Sequence, residues 1–116
     1  MFEEIFAQIE NRLKGFKAIS VVSSDGIEIA SKIKEELPHE ILSAELNNIL
    51  HNLERLKSDI SIGSYEEVII KTDQENVILI KMSDDAFVLL VTDKTDPTGR
   101  SVYEVQRLAF NFLEML

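Results

Sequence analysis

Residues Ala18 to Ser31, AISVVSSDGIEIAS, restrict the possible folds more than any other stretch of the chain. Two short runs rich in Ile and Val meet at Asp25-Gly26, the dipeptide favoured in a tight β-hairpin. A two-residue turn of that kind needs positive φ at both central positions, which Gly tolerates and Asp accepts. The hairpin strands are expected over 17–23 and 27–31. No residue within them is an obvious nucleophile or metal ligand, so function must come through the surfaces of the surrounding scaffold.

The elements on either side follow from periodicity. Phe2, Ile5, Phe6, Ile9, Leu13 and Phe16 recur at helical spacing, opposed by Glu3, Glu4, Glu10, Arg12 and Lys14. This is an amphipathic helix ending near Gly15, its acidic start and basic end matched to the helix dipole. Pro38 is placed to open a second, long helix reaching about Lys57, because its missing N–H would be unpaired there anyway. Leu42, Leu46, Ile49, Leu53 and Leu56 form one stripe of that helix and are assigned to a sheet-facing core. Residues 66–72, 76–82 and 86–92 are β-rich runs, joined by Asp73-Gln74-Glu75 and Ser83-Asp84-Asp85. Asp96-Pro97 is read as the cap of a last helix with Val102, Val105, Ala109, Phe112 and Leu116 on its buried side.

The predicted order is α-β-β-α-β-β-β-α in a single domain spanning residues 1–116. The runs VILI and FVLLV in the last two strands are apolar on both faces, so the sheet needs cover on both sides. The expected fold is an α/β sandwich of the α+β class: a five-stranded antiparallel sheet with helices on each face.

Composition removes several classes of function. A net charge of −9, with 12 basic residues scattered along the chain, argues against nucleic acid and anionic membranes. The absence of cysteine rules out disulfides and thiolate zinc sites, and suits a reducing cytoplasm. No apolar run is long enough to span a bilayer, and Glu3-Glu4 stand where a signal peptide needs basic residues, so membrane insertion is not expected.

KAISVVSSDGIEIAS, EEVIIKTDQENVILIKMSDDAFVLLVTD and the Pro97-Thr98-Gly99 opening of the last helix together resemble the Roadblock/dynein light-chain family, over roughly residues 5–113. The resemblance implies a homodimeric scaffold that regulates or localises a small Ras-like GTPase, or serves as a motor accessory chain. It implies that the first and last helices share one face of the sheet and the long helix covers the other. It also implies self-pairing through the third strand, by Glu66, Val68, Ile69, Ile70, Lys71 and Thr72. The residues point the same way: at a sheet edge, Val68-Ile69-Ile70 would invite aggregation unless paired. Opposite the leucine stripe, the second helix carries Ala44, Asn47, Asn48, His51 and Arg55, a small and amide-rich face suited to close approach. With Asn52, these are the candidate contacts for the GTPase, and a two-fold dimer would bring both copies of the face together.

The motifs of chemistry are weak by comparison. The 4 glycines form neither GxxxxGK nor GxGxxG, so the chain is not itself a P-loop GTPase. His39 and His51 are 12 positions apart and are read as a solvated helix-start residue and an outer-face or interface residue, not as metal ligands. Ser23, Ser24 and Ser43 are not read as nucleophiles, for want of an activating base. Asp93-Lys94-Thr95-Asp96 resembles the start of an ATPase phosphorylation motif but lacks the following Gly-Thr; Asp93 is read as a strand end. Glu35-Glu36, Glu66-Glu67 and Asp84-Asp85 serve solubility at turns and strand entries. Arg55, Arg100 and Arg107 are the candidates for a charge offered to a phosphate, and surface ion pairing is the commoner role. No enzymatic activity and no cofactor are expected. Two other readings remain open: a structural light chain of a larger assembly, and a small-molecule sensor of the PAS, profilin or longin kind.

Overall fold

Short apolar strands with tight turns pair with their sequence neighbours, and the sheet order reflects this. The computed structural model describes the backbone of residues 2–34, 39–61 and 63–115, and the side chains of all these except 39–43 and 108–115. The elements run α1 (Phe2–Arg12), β1 (Phe16–Ser23), β2 (Glu28–Ile33), α2 (His39–Ile60), β3 (Glu67–Lys71), β4 (Glu75–Ser83), β5 (Ala86–Asp93) and α3 (Thr98–Met115). The five strands form one sheet in the order β2-β1-β5-β4-β3, every neighbouring pair antiparallel. The expected architecture is therefore the observed one. Glu35, Glu36, Pro38 and Leu116 lie outside the described residues, as do the side chains of His39, Leu42, Ser43, Ala109 and Phe112.

Strand β5 sits at the centre, and every side chain from Ala86 to Thr92 is buried. Its alternation divides the core into two layers. On one face Val88 and Leu90 join Ile19, Val21, Ile78 and Ile80 under Ile5, Phe6 and Ile9 of α1 and Val105 of α3. On the other, Phe87 and Leu89 join Val22 and Leu79 under Leu46 and Leu50 of α2. Each fully buried aliphatic side chain contributes about 1.5–3 kcal/mol.

Phe16 does not continue the α1 stripe. The helix stops at Arg12, a turn closes between Leu13 O and Phe16 N at 3.3 Å, and Phe16 enters β1 while remaining buried in the same layer. The β1–β2 hairpin also differs from the two-residue turn expected. Gly26 has φ of 83° but Asp25 does not have positive φ. Gly26 N donates to Ser23 O at 2.9 Å and Ser23 N to Ile27 O at 2.8 Å, so Ser24-Asp25-Gly26 form a three-residue loop in which Gly26 alone takes the left-handed conformation. A register shift between Val21 and Val22 absorbs the extra residue.

The α2 stripe is rotated from the one expected. Leu46 and Leu50 are buried and Leu53 partly so, but Ile49 is 39% and Leu56 41% exposed. At roughly 100° per residue, Ile49 and Leu56 lie about 60° around the helix from Leu46 and Leu53. The sheet takes only one edge of a broad apolar arc.

Asp96 does not cap α3. Its Oδ2 accepts from Gly15 N at 2.7 Å in a buried contact, tying the α1–β1 turn to the β5–α3 connection. Asp93 does end β5, with its N–H donating to Gly15 O at 2.8 Å and its Oδ1 accepting from Thr95 N at 2.7 Å. These Thr95 hydrogen bonds, from side chain and backbone, hold the Asp93 carboxyl below its ordinary value.

Gly15 is confined by this arrangement. A Cβ placed there would overlap Asp93 Oδ1 and lie 2.9 Å from its Cγ, and the Asp93 side chain cannot swing away without losing Thr95. Gly15→Ala is expected to destabilise the fold by about 1–3 kcal/mol. In a denaturant-unfolding cycle with Asp93→Ala, that cost should shrink markedly in the double variant, since the clashing carboxylate is gone. Equal costs in both backgrounds would contradict the assignment.

Candidate partner interface

Helix α2 presents four surfaces, set by what its packing consumes. Leu46, Leu50 and Leu53 face the sheet. On one flank Ile49, Leu56 and Ile60 are exposed apolar residues. On the other flank Asn47, His51 and Glu54 line a cleft of about 460 Å³, walled by Asp25, Lys81 and Asp84 and floored by Leu50 and Phe87. The far side of the helix carries Ala44, Asn48, Asn52 and Arg55, all exposed, with Arg55 Nη1 3.5 Å from Asn52 Oδ1; His51, also exposed, stands at the border between this side and the cleft.

Asn47 therefore does not belong to the outward face. It is half-buried beside the β1–β2 turn, where a Cβ on Gly26 would lie 3.2 Å from its Nδ2. The left-handed Gly26 thus answers two needs at once, a loop conformation and room for α2. The sequence showed Asn47 only as one more polar residue; its contact with a turn 21 positions earlier has no local signal.

Ser24 and His51, far apart in sequence, line the same cleft. Among the described residues no hydrogen bond joins them, and Ser24 N is instead committed to Asp85 O at 2.8 Å. The polar wall is organised around Lys81. Its Nζ lies 3.3 Å from Asp84 and 3.9 Å from Glu54, and 5.2 Å from the centre of the Tyr65 ring. Such a cation over a ring face is worth about 0.5–1 kcal/mol when partly solvated. Among the described residues no group of three His, Asp or Glu is arranged to hold a metal, and no helix is long and apolar enough to cross a membrane.

Strand β3 lies at one edge of the sheet. Val68 and Ile70 are half-buried on the α2 side, while Ile69, 41% exposed, points to the opposite face. Lys71 and Thr72 are exposed, and Thr72 Oγ1 accepts from Glu75 N at 2.9 Å to close the β3–β4 turn. Glu66 precedes the strand and accepts through its carbonyl from Lys81 N at 2.9 Å. Glu67 Oε2 accepts from Gln106 of α3 at 3.2 Å. The remaining candidate arginines, Arg100 and Arg107, lie across the sheet on α3.

Burial pushes the Tyr65 phenol above its ordinary value of 10.0, with nearby Lys81 opposing and Glu54 adding to the shift. The native state favours the neutral phenol, so Tyr65's contribution to stability is complete below pH 10 and is lost as pH rises through the native pKa. The chain has 2 tyrosines. In a Tyr103→Phe variant, ultraviolet titration of the folded protein should report one phenol ionising above pH 10, and Tyr65→Phe should flatten the alkaline fall in stability.

No family model matches the chain. Among curated proteins, the uncharacterised protein MJ0310 of Methanocaldococcus jannaschii is 23% identical over 96 residues, covering 83% of each chain. Among solved structures, Myxococcus xanthus MglB superposes with a TM-score of 0.83 at 12% identity, over 99% of this chain and 98% of that one. The Roadblock/LC7 domain from Streptomyces avermitilis gives 0.83 at 10% identity, over 97% and 94%. At such identities the likeness speaks to the fold, and the chain has a Roadblock-type fold.

Proposed function

We propose that this protein is a non-enzymatic homodimeric scaffold that binds a small Ras-like GTPase and regulates or localises it. The observation that carries the reading is an unpaired edge strand, β3, with apolar residues half-exposed on both faces, together with the exposed Ile49–Leu56–Ile60 flank of α2. A monomer leaves both uncovered. Antiparallel pairing of β3 with its copy would satisfy the edge and extend the sheet across the dimer. The resemblance to MglB and Roadblock domains supports a GTPase as the partner, in a cytoplasmic setting.

In this dimer Val68, Ile69 and Ile70 lie at the two-fold seam, and the outward α2 surfaces of both copies, Ala44, Asn48, His51, Asn52 and Arg55, form a composite platform. Asn47 stands apart from that platform because it is committed to the β1–β2 turn.

Two outcomes test the proposal. Sedimentation equilibrium should give about twice the 13.2 kDa chain mass, and Ile49→Glu combined with Leu56→Glu should lower it to the monomer. Both side chains are already exposed, so the variant should keep its fold; a wild-type monomer at high concentration would refute the dimer. A pull-down from native extract, run with GDP and with a non-hydrolysable GTP analogue, should recover a small GTPase in one nucleotide state. Recovery of another assembly regardless of nucleotide would favour a structural light chain.

A further inference from the structure

The basic residues look scattered along the chain, but the fold gathers three of them on the side of the sheet away from α2. Arg12 ends α1, while Arg100 and Arg107 project from α3. Arg12 Nη1 and Arg107 Nε both stand 3.7 Å from one atom, Glu104 Oε2. Arg100 Nη2 donates to the Arg12 carbonyl at 3.3 Å. Glu104 itself is only 5% exposed. Among the described residues no second carboxylate pairs with these guanidinium groups: Arg12 and Arg107 share one buried negative charge, and Arg100 pairs with none.

The two ion pairs are too long to be hydrogen bonds, and Glu104 Oε2 accepts none among the described residues. Glu104 thus holds Arg12 and Arg107 in place by charge while leaving their N–H donors uncommitted to it. Between Arg100 and Arg107, at spacings of three and four residues, stands Tyr103, 61% exposed. The three lie on one stripe of α3. Arginine and tyrosine are the side chains that most often dominate interface energies, and here they are concentrated on a protein of net charge −9.

We infer that the Arg100–Tyr103–Arg107 stripe, flanked by Arg12, is a docking surface for an acidic segment of a partner protein. Seven residues of helix separate Arg100 from Arg107 by about 10 Å, close to the rise of three residues in a polyproline II segment, which returns side chains i and i+3 to one face. Two carboxylates at that spacing can each take a guanidinium fork, while an apolar residue between them lies on the Tyr103 ring. A nucleic-acid backbone fits poorly, because a small local excess of positive charge sits on a strongly acidic molecule. The surface lies across the sheet from α2, so it leaves the proposed GTPase platform free and does not depend on it.

The test uses the full chain and a fluorescein-labelled octapeptide with glutamate at every third position and leucine and proline between, at about 50 mM salt where surface charge is weakly screened. Saturable binding is expected, with amide shifts confined to the first turns of α3 and the end of α1. Arg100→Gln and, independently, Tyr103→Ala should each weaken it by about threefold to tenfold, while Arg55→Gln on α2 should leave it unchanged. Both altered side chains are exposed, and a wild-type-like amide spectrum will certify the fold. Absence of binding, shifts centred on α2, or unchanged affinity in both variants would overturn the inference. So would displacement of the peptide by inorganic phosphate at matched ionic strength with the same amides shifted, which would make the patch a phosphate site.

Discussion

Everything in this molecule follows from the need to cover β4 and β5 on both faces. Apolar residues alternate to either side of β5 and none can be left in water, so the sheet requires a helical layer above and below. Three helices over two faces cannot be shared evenly. Helices α1 and α3 close one face together, and α2 is left alone on the other. A single helix buries one stripe, Leu46, Leu50 and Leu53, and cannot reach every strand of a five-stranded sheet. The exposed flank of α2, the half-covered residues of β3 and the polar cleft are consequences of that uneven cover.

The sequence made the order of elements legible because each strand is short, β-branched and bounded by turn residues. It was less informative wherever two stretches meet in space. Asp96 precedes Pro97 and a helix, so local rules make it a cap; its actual partner is Gly15, 81 residues away. The Asp25-Gly26 pair signals a hairpin, but the choice between a two- and a three-residue loop rests on a shift of register in the strands behind it. On α2, the spacing that selects Leu42, Leu46, Ile49, Leu53 and Leu56 is matched by Leu46, Leu50 and Leu53. Only the position of the sheet decides which edge of the arc is buried.

The candidate surfaces divide along the same line. The outward face of α2 could be read from its small and amide side chains, since helical spacing alone places Asn48, His51 and Arg55 together. Asn47 was misplaced because its neighbour, Gly26, belongs to another element. Arg12, Arg100 and Arg107 were invisible as a group, because charge counted along a chain carries no information about which helices lie side by side. Glu104 draws Arg12 and Arg107 together and the Arg12 carbonyl holds Arg100 beside them; as one acid on a helix, Glu104 gives no sign of being buried.

Charge is therefore distributed unevenly between the two faces, and this bears on how the protein could work. Carboxylates crowd the α2 side, where Asp25, Glu54 and Asp84 surround Lys81 at the cleft. The α3 side holds three of the four arginines, Arg12, Arg100 and Arg107. Two partners of opposite local charge could approach from opposite faces without competing, each repelled from the other's site as well as drawn to its own. Strand β5 between them is buried on both sides, so occupancy of one face need not alter the geometry of the other. A scaffold that tethers one protein while presenting another requires this independence, and the central strand, buried on both sides, supplies it.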